Sequence, residues 1–143
     1  NMAGWRVGML SGNAEIIQAV LKVKSNMDSG MFYGIQQGAI NALNVDQSWF
    51  EGLNMVYQKR KNLIKILATK LETQYDSKSV GLFVWAKLPE RTIDSETFID
   101  KILHEHHIFI TPGTIFGSQG EGFIRFSLCV PEATIEDAIN RLG

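Results

Sequence analysis

The sequence contains little cysteine and no excess of charge of either sign. Cys129 is the single cysteine among 143 residues, which excludes an internal disulfide and indicates a reducing compartment. Lys and Arg total 14 against 15 for Asp and Glu, so there is no basic surplus of the kind that nucleic acids or anionic membranes attract. No apolar run approaches the length of a membrane span. We therefore expect a cytoplasmic protein without nucleic-acid or membrane partners.

The start of the sequence indicates part of a longer protein. The chain begins at Asn1 rather than with an initiator methionine, and we find no signal peptide or transit segment. Its length suits either one domain or a portion of a larger protein. We favour the second interpretation, a portion of a larger protein.

Apolar periodicity predicts helices in the first half of the chain. A short strand is expected within residues 1–10, and Asn13 is well placed to cap the helix that follows. A second helix is expected after residues 28–30. Asp46 precedes a third and much longer helix that runs to about Leu71. A helix of that length is able to join two domains, so we expect the domain boundary within it.

The second half alternates between shorter elements. The elements expected here are a polar loop at 74–79, a strand at 80–88, a helix capped by Ser95, a strand at 108–111, a strand around Arg125 and a helix at 133–142. This order is typical of an α/β unit in which helices pack on a small sheet.

Arg125 is a cation within an apolar strand, Gly122-Phe123-Ile124-Arg125-Phe126-Ser127-Leu128, and is expected to face inward. A guanidinium inside a fold needs an anionic partner, and its planar fork matches a carboxylate in bidentate fashion. The partner is either the carboxylate of a ligand or an Asp or Glu of the protein. The segment alone leaves both alternatives open.

Arg6 lies between two glycines in Gly4-Trp5-Arg6-Val7-Gly8. Glycines allow a backbone to approach a ligand closely, and a guanidinium makes strong charge-assisted hydrogen bonds to a phosphate dianion. The alternative is a surface arginine beside a packed tryptophan.

Four segments of the chain resemble the C-terminal part of class I/II aminotransferases, which are fold-type I enzymes that depend on pyridoxal 5'-phosphate. They are Asn1-Met2-Ala3-Gly4-Trp5-Arg6-Val7-Gly8, Gly81-Leu82-Phe83-Val84-Trp85-Ala86-Lys87-Leu88-Pro89, Thr111-Pro112-Gly113 with Phe116-Gly117, and Gly120-Glu121-Gly122-Phe123-Ile124-Arg125-Phe126-Ser127-Leu128. They follow in the family's order and span almost the whole chain. The resemblance implies an α/β fold in which residues 1–60 end the large cofactor-binding domain and start the connecting helix. Residues 61–143 would then form the small C-terminal domain.

The resemblance also implies an activity and site residues. The intact protein is expected to be a homodimer that transfers an amino group between an amino acid and a 2-oxo acid. Arg6 would bind the cofactor phosphate, Arg125 the substrate α-carboxylate, and the stretch from Pro112 to Gly117 would form a mobile segment near the substrate. The family's Schiff-base lysine is expected upstream of Asn1. We therefore expect no catalytic residue in this chain, no bound pyridoxal 5'-phosphate and no transamination by the chain alone.

Two other functions remain open. A pyridoxal-phosphate lyase, decarboxylase or synthase would share this fold, because the cofactor site does not by itself choose the bond that breaks. A non-catalytic α/β module would use both arginines to bind an anionic metabolite. A lysine shortly before Asn1 in the parent sequence separates the enzymes from the binding module.

Three further features are not assigned to a site. Lys78 lies in a polar loop without the desolvation or cationic neighbour that activates a lysine. His104, His106 and His107 lack a cysteine or a second ligand cluster, so no metal is expected. Tyr33 is expected to pack in a core or an interface, and the alternative is a contact with the active site of a partner subunit.

Overall fold

The computed structural model describes residues 3–92 and 94–143, so Asn1 and Met2 of the first family-like segment lie outside the described residues. The chain divides into two compact units, Asn1–Trp49 and Phe50–Gly143. This division falls within the longest helix. The assignment of residues 1–60 and 61–143 to a large and a small domain stays a prediction.

The first unit is helical. It contains a 3-10 helix, Ala3–Trp5, followed by α1, Ala14–Met27, and α2, Tyr33–Leu43. The strand expected within residues 1–10 is wrong for the part that is described, because residues 3–10 form the 3-10 helix, a turn and irregular chain. Alternating apolar residues become a strand only where a neighbouring strand pairs with them.

Asn13 caps α1 as predicted. Its Oδ1 accepts hydrogen bonds from the backbone amides of Glu15 at 2.8 Å and Ile16 at 3.3 Å, which satisfies two donors that the first helical turn leaves free. The apolar side chains of α1 and α2 are not buried within this unit. Ile16 is 63% exposed and Met27 76%, so the predicted stripes mark surfaces rather than a local core.

The second unit packs helices against a four-stranded antiparallel sheet. Its helices are α3, Gln47–Lys70, which begins at the end of the first unit, α4, Ser95–His106, and α5, Glu132–Arg141. Its strands are β1, Gln74–Tyr75, β2, Phe83–Lys87, β3, Thr111–Pro112, and β4, Phe123–Ser127, in the sheet order β1-β2-β4-β3. Two 3-10 helices, Gly113–Phe116 and Ser118–Gly120, connect β3 to β4.

The sequence located β2, β3 and β4 but not their ends, and it missed β1. Gln74–Tyr75 was expected in a loop, yet it pairs with the end of β2 as an edge strand. The strand expected at 80–88 is shorter, and Val80 is 93% exposed. The strand expected at 108–111 is reduced to Thr111–Pro112, because only these residues pair with β4.

The N-cap of α4 is Asp94 and not Ser95. Asp94 has extended backbone angles and its Oδ1 accepts from the amide of Thr97 at 2.7 Å, which is the conformation and the bond of a capping residue. Ser95 is the first helical residue. Its side chain is fully buried and bonds to Glu121 instead.

Alternation along β2 and β4 gives the sheet one buried face. Val84 pairs with Phe126 and Ala86 with Ile124, and all four are at most 3% exposed. Buried side chains of the three helices pack against this face: Ile64, Leu67, Ala68, Ile99, Ile102 and Ile135. Burial of each large aliphatic side chain contributes roughly 1.5–3 kcal/mol, so this layer holds the second unit together.

Glu121 joins the start of α4 to the start of β4. Its Oε1 accepts from the amide and the hydroxyl of Ser95, at 2.8 and 2.9 Å, and from the amide of Gly122 at 2.8 Å. The bonds from the Ser95 and Gly122 amides lower the pKa of the Glu121 carboxyl below its ordinary value, because they stabilise the charged form.

The buried face predicts a contrast between two valines. Val84→Ala removes apolar contacts at 1% exposure, whereas Val80→Ala changes a side chain that is 93% exposed. We expect Val84→Ala to lower the free energy of unfolding by about 2 kcal/mol and Val80→Ala to change it by less than about 0.5 kcal/mol. Denaturant unfolding of the intact protein checks this, and equal effects would contradict the burial assigned to β2.

The Glu121 hydrogen bonds predict a loss of stability in acid. A carboxyl whose pKa is lowered in the folded state stabilises the fold above its unfolded pKa, here near 4.5, and that contribution is lost as the pH falls through the folded value. Glu121→Gln should therefore flatten the decline of the melting temperature below about pH 4.5. Glu136→Gln, an exposed residue of α5, is the control, and an unchanged acid decline in Glu121→Gln would refute the assignment.

Candidate functional site

Arg125 lies on the face of the sheet opposite to the core. It is the central residue of β4, and the buried Ile124 and Phe126 on either side of it point to the helices. The expectation that Arg125 faces inward is therefore wrong. It is partly buried on the other sheet face, where strand pairing sets Trp85 of β2 and Thr111 of β3 directly beside it.

Two aromatic rings contact the Arg125 guanidinium. Its Cζ lies 4.1 Å from the ring centroid of Phe83 and 4.2 Å from that of Phe116, both within the range of a cation–π interaction. Trp85 extends this cluster, because it meets Phe116 edge-on at 5.6 Å and stacks on Phe123 at 5.8 Å. The rings restrict the guanidinium without using its N–H groups as hydrogen-bond donors to oxygen.

The Arg125 side chain has no acidic partner among residues 3–92 and 94–143. The ion pairs described in these ranges involve other cations, and no side-chain hydrogen bond of the described residues uses the Arg125 donors. The internal ion pair that the sequence left open is therefore not found there. Five N–H donors on a planar group remain able to bind a carboxylate.

Phe116 reaches Arg125 from the segment that the resemblance sets near the substrate. The segment continues from the 3-10 helix Gly113–Phe116 through Gly117, whose φ of 116° strains any other residue. The Phe116 side chain is 50% exposed and that of its neighbour Ile115 65%. Neither side chain is therefore packed in the core, and the Phe116 ring lies against the guanidinium.

Arg6 lies in the first unit, directly after the 3-10 helix. Its φ is 53°, which is an uncommon left-handed conformation for a side-chain-bearing residue, and its amide donates to the carbonyl of Ala3 at 3.2 Å. Such a conformation costs on the order of 1–3 kcal/mol and is found preferentially at ligand sites. The Arg6 side chain is exposed and pairs with no acidic residue within the described ranges.

The surroundings of Arg6 suit an anion. A Cβ placed on Gly4 or Gly8 would meet no atom within 4 Å, so packing within the described residues does not require glycine at either position. Trp5 does pack, because a Cβ on Gly38 of α2 would come within 2.7 Å of its ring. A guanidinium beside unobstructed backbone is a donor set that fits a phosphate group, such as that of pyridoxal 5'-phosphate.

The remaining candidates have ordinary structural surroundings. The amide of Lys78 donates to Asp76 Oδ1 at 2.8 Å in an exposed turn. His106 Nδ1 lies 2.9 Å from the carbonyl oxygen of Arg141, and His107 ends α4 with a φ of 55°. Tyr33 is 69% exposed, so it is not packed in a core of the first unit. Among the described residues, no group of three or more His, Cys, Asp or Glu is placed to hold a metal ion.

The sequence alone did not identify the other residues around Arg125, nor the contact of Glu121 with Ser95. Phe83 and Trp85 alternate with the buried Val84 and Ala86 along β2, so a period of two would have assigned the aromatic pair to the open face with Arg125. Glu121 gave no such signal, because its contact with Ser95 joins residues 26 positions apart.

The described part of the chain contains no helix that is both long and apolar enough to cross a membrane.

Curated proteins similar to this chain are aminotransferases. The chain is 37% identical over 143 residues to an LL-diaminopimelate aminotransferase of Oleidesulfovibrio alaskensis and 39% identical over 143 residues to one of Dehalococcoides mccartyi. Both matches cover 100% of this chain but 37% of the relative. The chain thus spans little more than a third of the length of these curated relatives, which agrees with the expected C-terminal portion.

Solved structures share the fold of the chain. BacF from Bacillus subtilis superposes with a TM-score of 0.83 at 34% identity, over 99% of this chain and 36% of that protein. An aminotransferase from Staphylococcus aureus gives a TM-score of 0.83 at 32% identity, over 99% and 37%. These likenesses confirm the α/β fold of fold-type I aminotransferases that the four segments predicted.

The family comparison covers almost the entire sequence. The sequence profile described as aminotransferase class I and II matches residues 1–142. The resemblance drawn from the four segments is thereby confirmed, and the chain belongs to the class I and II aminotransferase family.

Proposed function

We propose that the intact protein is a pyridoxal-phosphate-dependent aminotransferase in which Arg125 binds the α-carboxylate of the substrate and Arg6 binds the cofactor phosphate. The observation that carries this proposal is the Arg125 guanidinium, which two aromatic rings contact and no acidic residue in the described ranges neutralises. Family membership supports the reaction class. The activity is proposed for the whole protein, because this chain spans only 37% of the length of the relative from Oleidesulfovibrio alaskensis.

The surroundings of Arg125 favour carboxylate binding over a purely structural role. A carboxylate accepts two parallel N–H bonds from a guanidinium, and such charge-assisted bonds are roughly twice as strong as neutral ones. Phe83 and Phe116 exclude water from part of the group and restrict its motion. An arginine that is held in position before the substrate arrives loses less conformational entropy on binding.

Every substrate of the proposed reaction carries this carboxylate. Amino acids and 2-oxo acids share it, so Arg125 would orient both the amino donor and the acceptor in the same way. The side chains of the substrates would be selected by other residues. LL-diaminopimelate, which the relatives from Oleidesulfovibrio alaskensis and Dehalococcoides mccartyi are named for, is the first amino donor to assay.

The cofactor would supply the electron sink that amino-group transfer requires. Arg6 would hold its phosphate through charge-assisted N–H bonds, and the open backbone at Gly4 and Gly8 would let the phosphate approach. Phe116 and Ile115 would cover the bound carboxylate and exclude water from it. The proton at the α-carbon would be carried by a lysine upstream of Asn1.

We also propose that the intact protein acts in the cytoplasm as a homodimer. The exposed apolar side chains of α1, with Leu21 56% and Val23 60% exposed, leave a surface that a second subunit would cover together with the rest of the intact protein. A helix without any buried residue requires a further surface to cover its apolar side.

Replacement of Arg125 tests the proposed function directly. Arg125→Ala in the intact protein should raise KM for the amino donor and for the 2-oxo acid by at least about thirtyfold, the lower end of the cost of losing a desolvated charged contact. Initial rates of amino transfer, measured with both substrates varied, provide KM and show that turnover needs the acceptor. Arg91→Ala, which removes an exposed guanidinium, should leave both KM values unchanged.

Two results would contradict this function. Unchanged KM and kcat in Arg125→Ala would remove Arg125 from the site. Turnover of the amino acid in the absence of any 2-oxo acid would favour a lyase or a decarboxylase of the same fold.

Replacement of Arg6 tests the phosphate site separately. Arg6→Ala in the intact protein should weaken binding of pyridoxal 5'-phosphate by about tenfold or more, the usual value of a hydrogen bond to a charged group. Binding of pyridoxal, which lacks the phosphate, should not change. Absorbance or fluorescence titration of the apoprotein with each compound measures both constants, and an equal loss for the two compounds would exclude a specific phosphate contact.

A further inference from the structure

Phe116 is held against Arg125 by something other than burial. Its side chain is 50% exposed and Ile115 beside it is 65% exposed, so few core contacts restrain this tip. The ring nevertheless lies 4.2 Å from the Arg125 Cζ and makes an edge contact with Trp85. The remainder of the connection between β3 and β4 adds restraints to these two ring contacts.

The first restraint is the hydrogen-bond cluster around Ser95. Glu121 Oε1 accepts from the Ser95 amide and hydroxyl, and the Ser95 Oγ in turn accepts from the amide of Gly122 at 2.9 Å. Ser95 is fully buried, so water does not compete freely for these bonds. The cluster fixes the end of the connection onto the first turn of α4.

A second restraint reaches the same turn of α4 from the start of the connection. Thr114 Oγ1 donates to Glu96 Oε1 at 3.0 Å. The two 3-10 helices also touch backbone to backbone, since a Cβ on Gly113 would lie 2.1 Å from the carbonyl oxygen of Gly120. The segment that carries Phe116 is therefore closed at its base, and the base is attached to α4.

We propose that Glu121 and Ser95 are positioning residues for the carboxylate site: they hold the 113–122 segment so that Phe116 stays over the Arg125 guanidinium. This inference rests on the proposed function of Arg125. Neither residue would touch the substrate. They would instead raise the fraction of molecules in which Phe116 holds Arg125 in position before the substrate binds.

The capping residue of α4 is Asp94 rather than Glu121, although Glu121 also accepts from the Ser95 amide. Asp94 performs the capping, because its Oδ1 and Oδ2 accept from the amide and the hydroxyl of Thr97 at 2.7 and 2.8 Å. Two carboxylates thus lie at one helix start, and one of them caps the helix while the other attaches the segment with Phe116. This division of roles provides a matched pair of variants.

The test compares Glu121→Ala with Asp94→Ala in the intact enzyme loaded with cofactor. Loss of the cluster should lower the fraction of molecules in which Phe116 lies over the Arg125 guanidinium. If that fraction falls to about one tenth, the apparent KM rises about tenfold. We expect this rise for the amino donor and the 2-oxo acid, with kcat changed much less. Asp94→Ala should lower the melting temperature while both KM values stay within about twofold of the original, since a cap affects stability.

Two further variants separate positioning from general damage. Glu121→Gln keeps an oxygen that is able to accept the same three hydrogen bonds. Its KM should therefore stay close to that of the original protein. Ser95→Ala removes the buried hydroxyl and leaves Glu121 in place, and it should raise KM in the same direction. If Glu121→Ala fails to fold, Ser95→Ala decides the question by the same KM comparison.

A double substitution shows whether the effect passes through Arg125. Arg125→Lys removes the planar guanidinium that Glu121 is proposed to position. Adding Glu121→Ala should therefore raise KM by less than about twofold over Arg125→Lys alone, because substitutions at residues that act as one unit are not additive. If Arg125→Lys alone leaves KM unchanged, the proposed function fails. Two results would overturn the positioning inference alone. In the first, Arg125→Lys raises KM but Glu121→Ala and Ser95→Ala do not. In the second, the effects of Arg125→Lys and Glu121→Ala on KM multiply.

Discussion

The strict alternation of side chains across β4 determines the surroundings of Arg125. Ile124 and Phe126 anchor the strand in the core at 0% and 3% exposure, and a strand that is fixed in this way must present Arg125 on its other face. A slip of the register by one residue would bury the guanidinium and expose two core side chains. The core therefore fixes the side of the sheet on which Arg125 lies.

The open face then provides a setting for a cation that needs no anion of its own. A buried guanidinium is costly without a partner, but Arg125 stays partly accessible and interacts with the rings of Phe83 and Phe116. An ion pair within the protein would have to be broken before a substrate carboxylate could bind. Contacts with aromatic rings restrict the side chain and leave its N–H groups available.

The sequence predicted the helices better than the strands for a physical reason. Asn13 and the repeating apolar positions of α1 and α3 are local signals, and the structure confirms them. The edge strand Gln74–Tyr75 has only polar or half-polar residues and exists because β2 lies beside it. The face of Arg125 was mispredicted because Phe123, Ile124 and Phe126 are all apolar, which conceals the period of two. Family resemblance named both arginines, but the aromatic contacts and the attachment through Glu121 depend on register and on distant residues.

The most direct test of the central claim is a crystal structure of the intact protein with cofactor and a bound 2-oxo acid. The account predicts that both oxygens of the 2-oxo acid carboxylate lie within about 3 Å of Arg125 nitrogens, with Phe83 and Phe116 still in contact with the guanidinium. A carboxylate bound by a different cation, with Arg125 paired to an Asp or Glu of the protein, would contradict it.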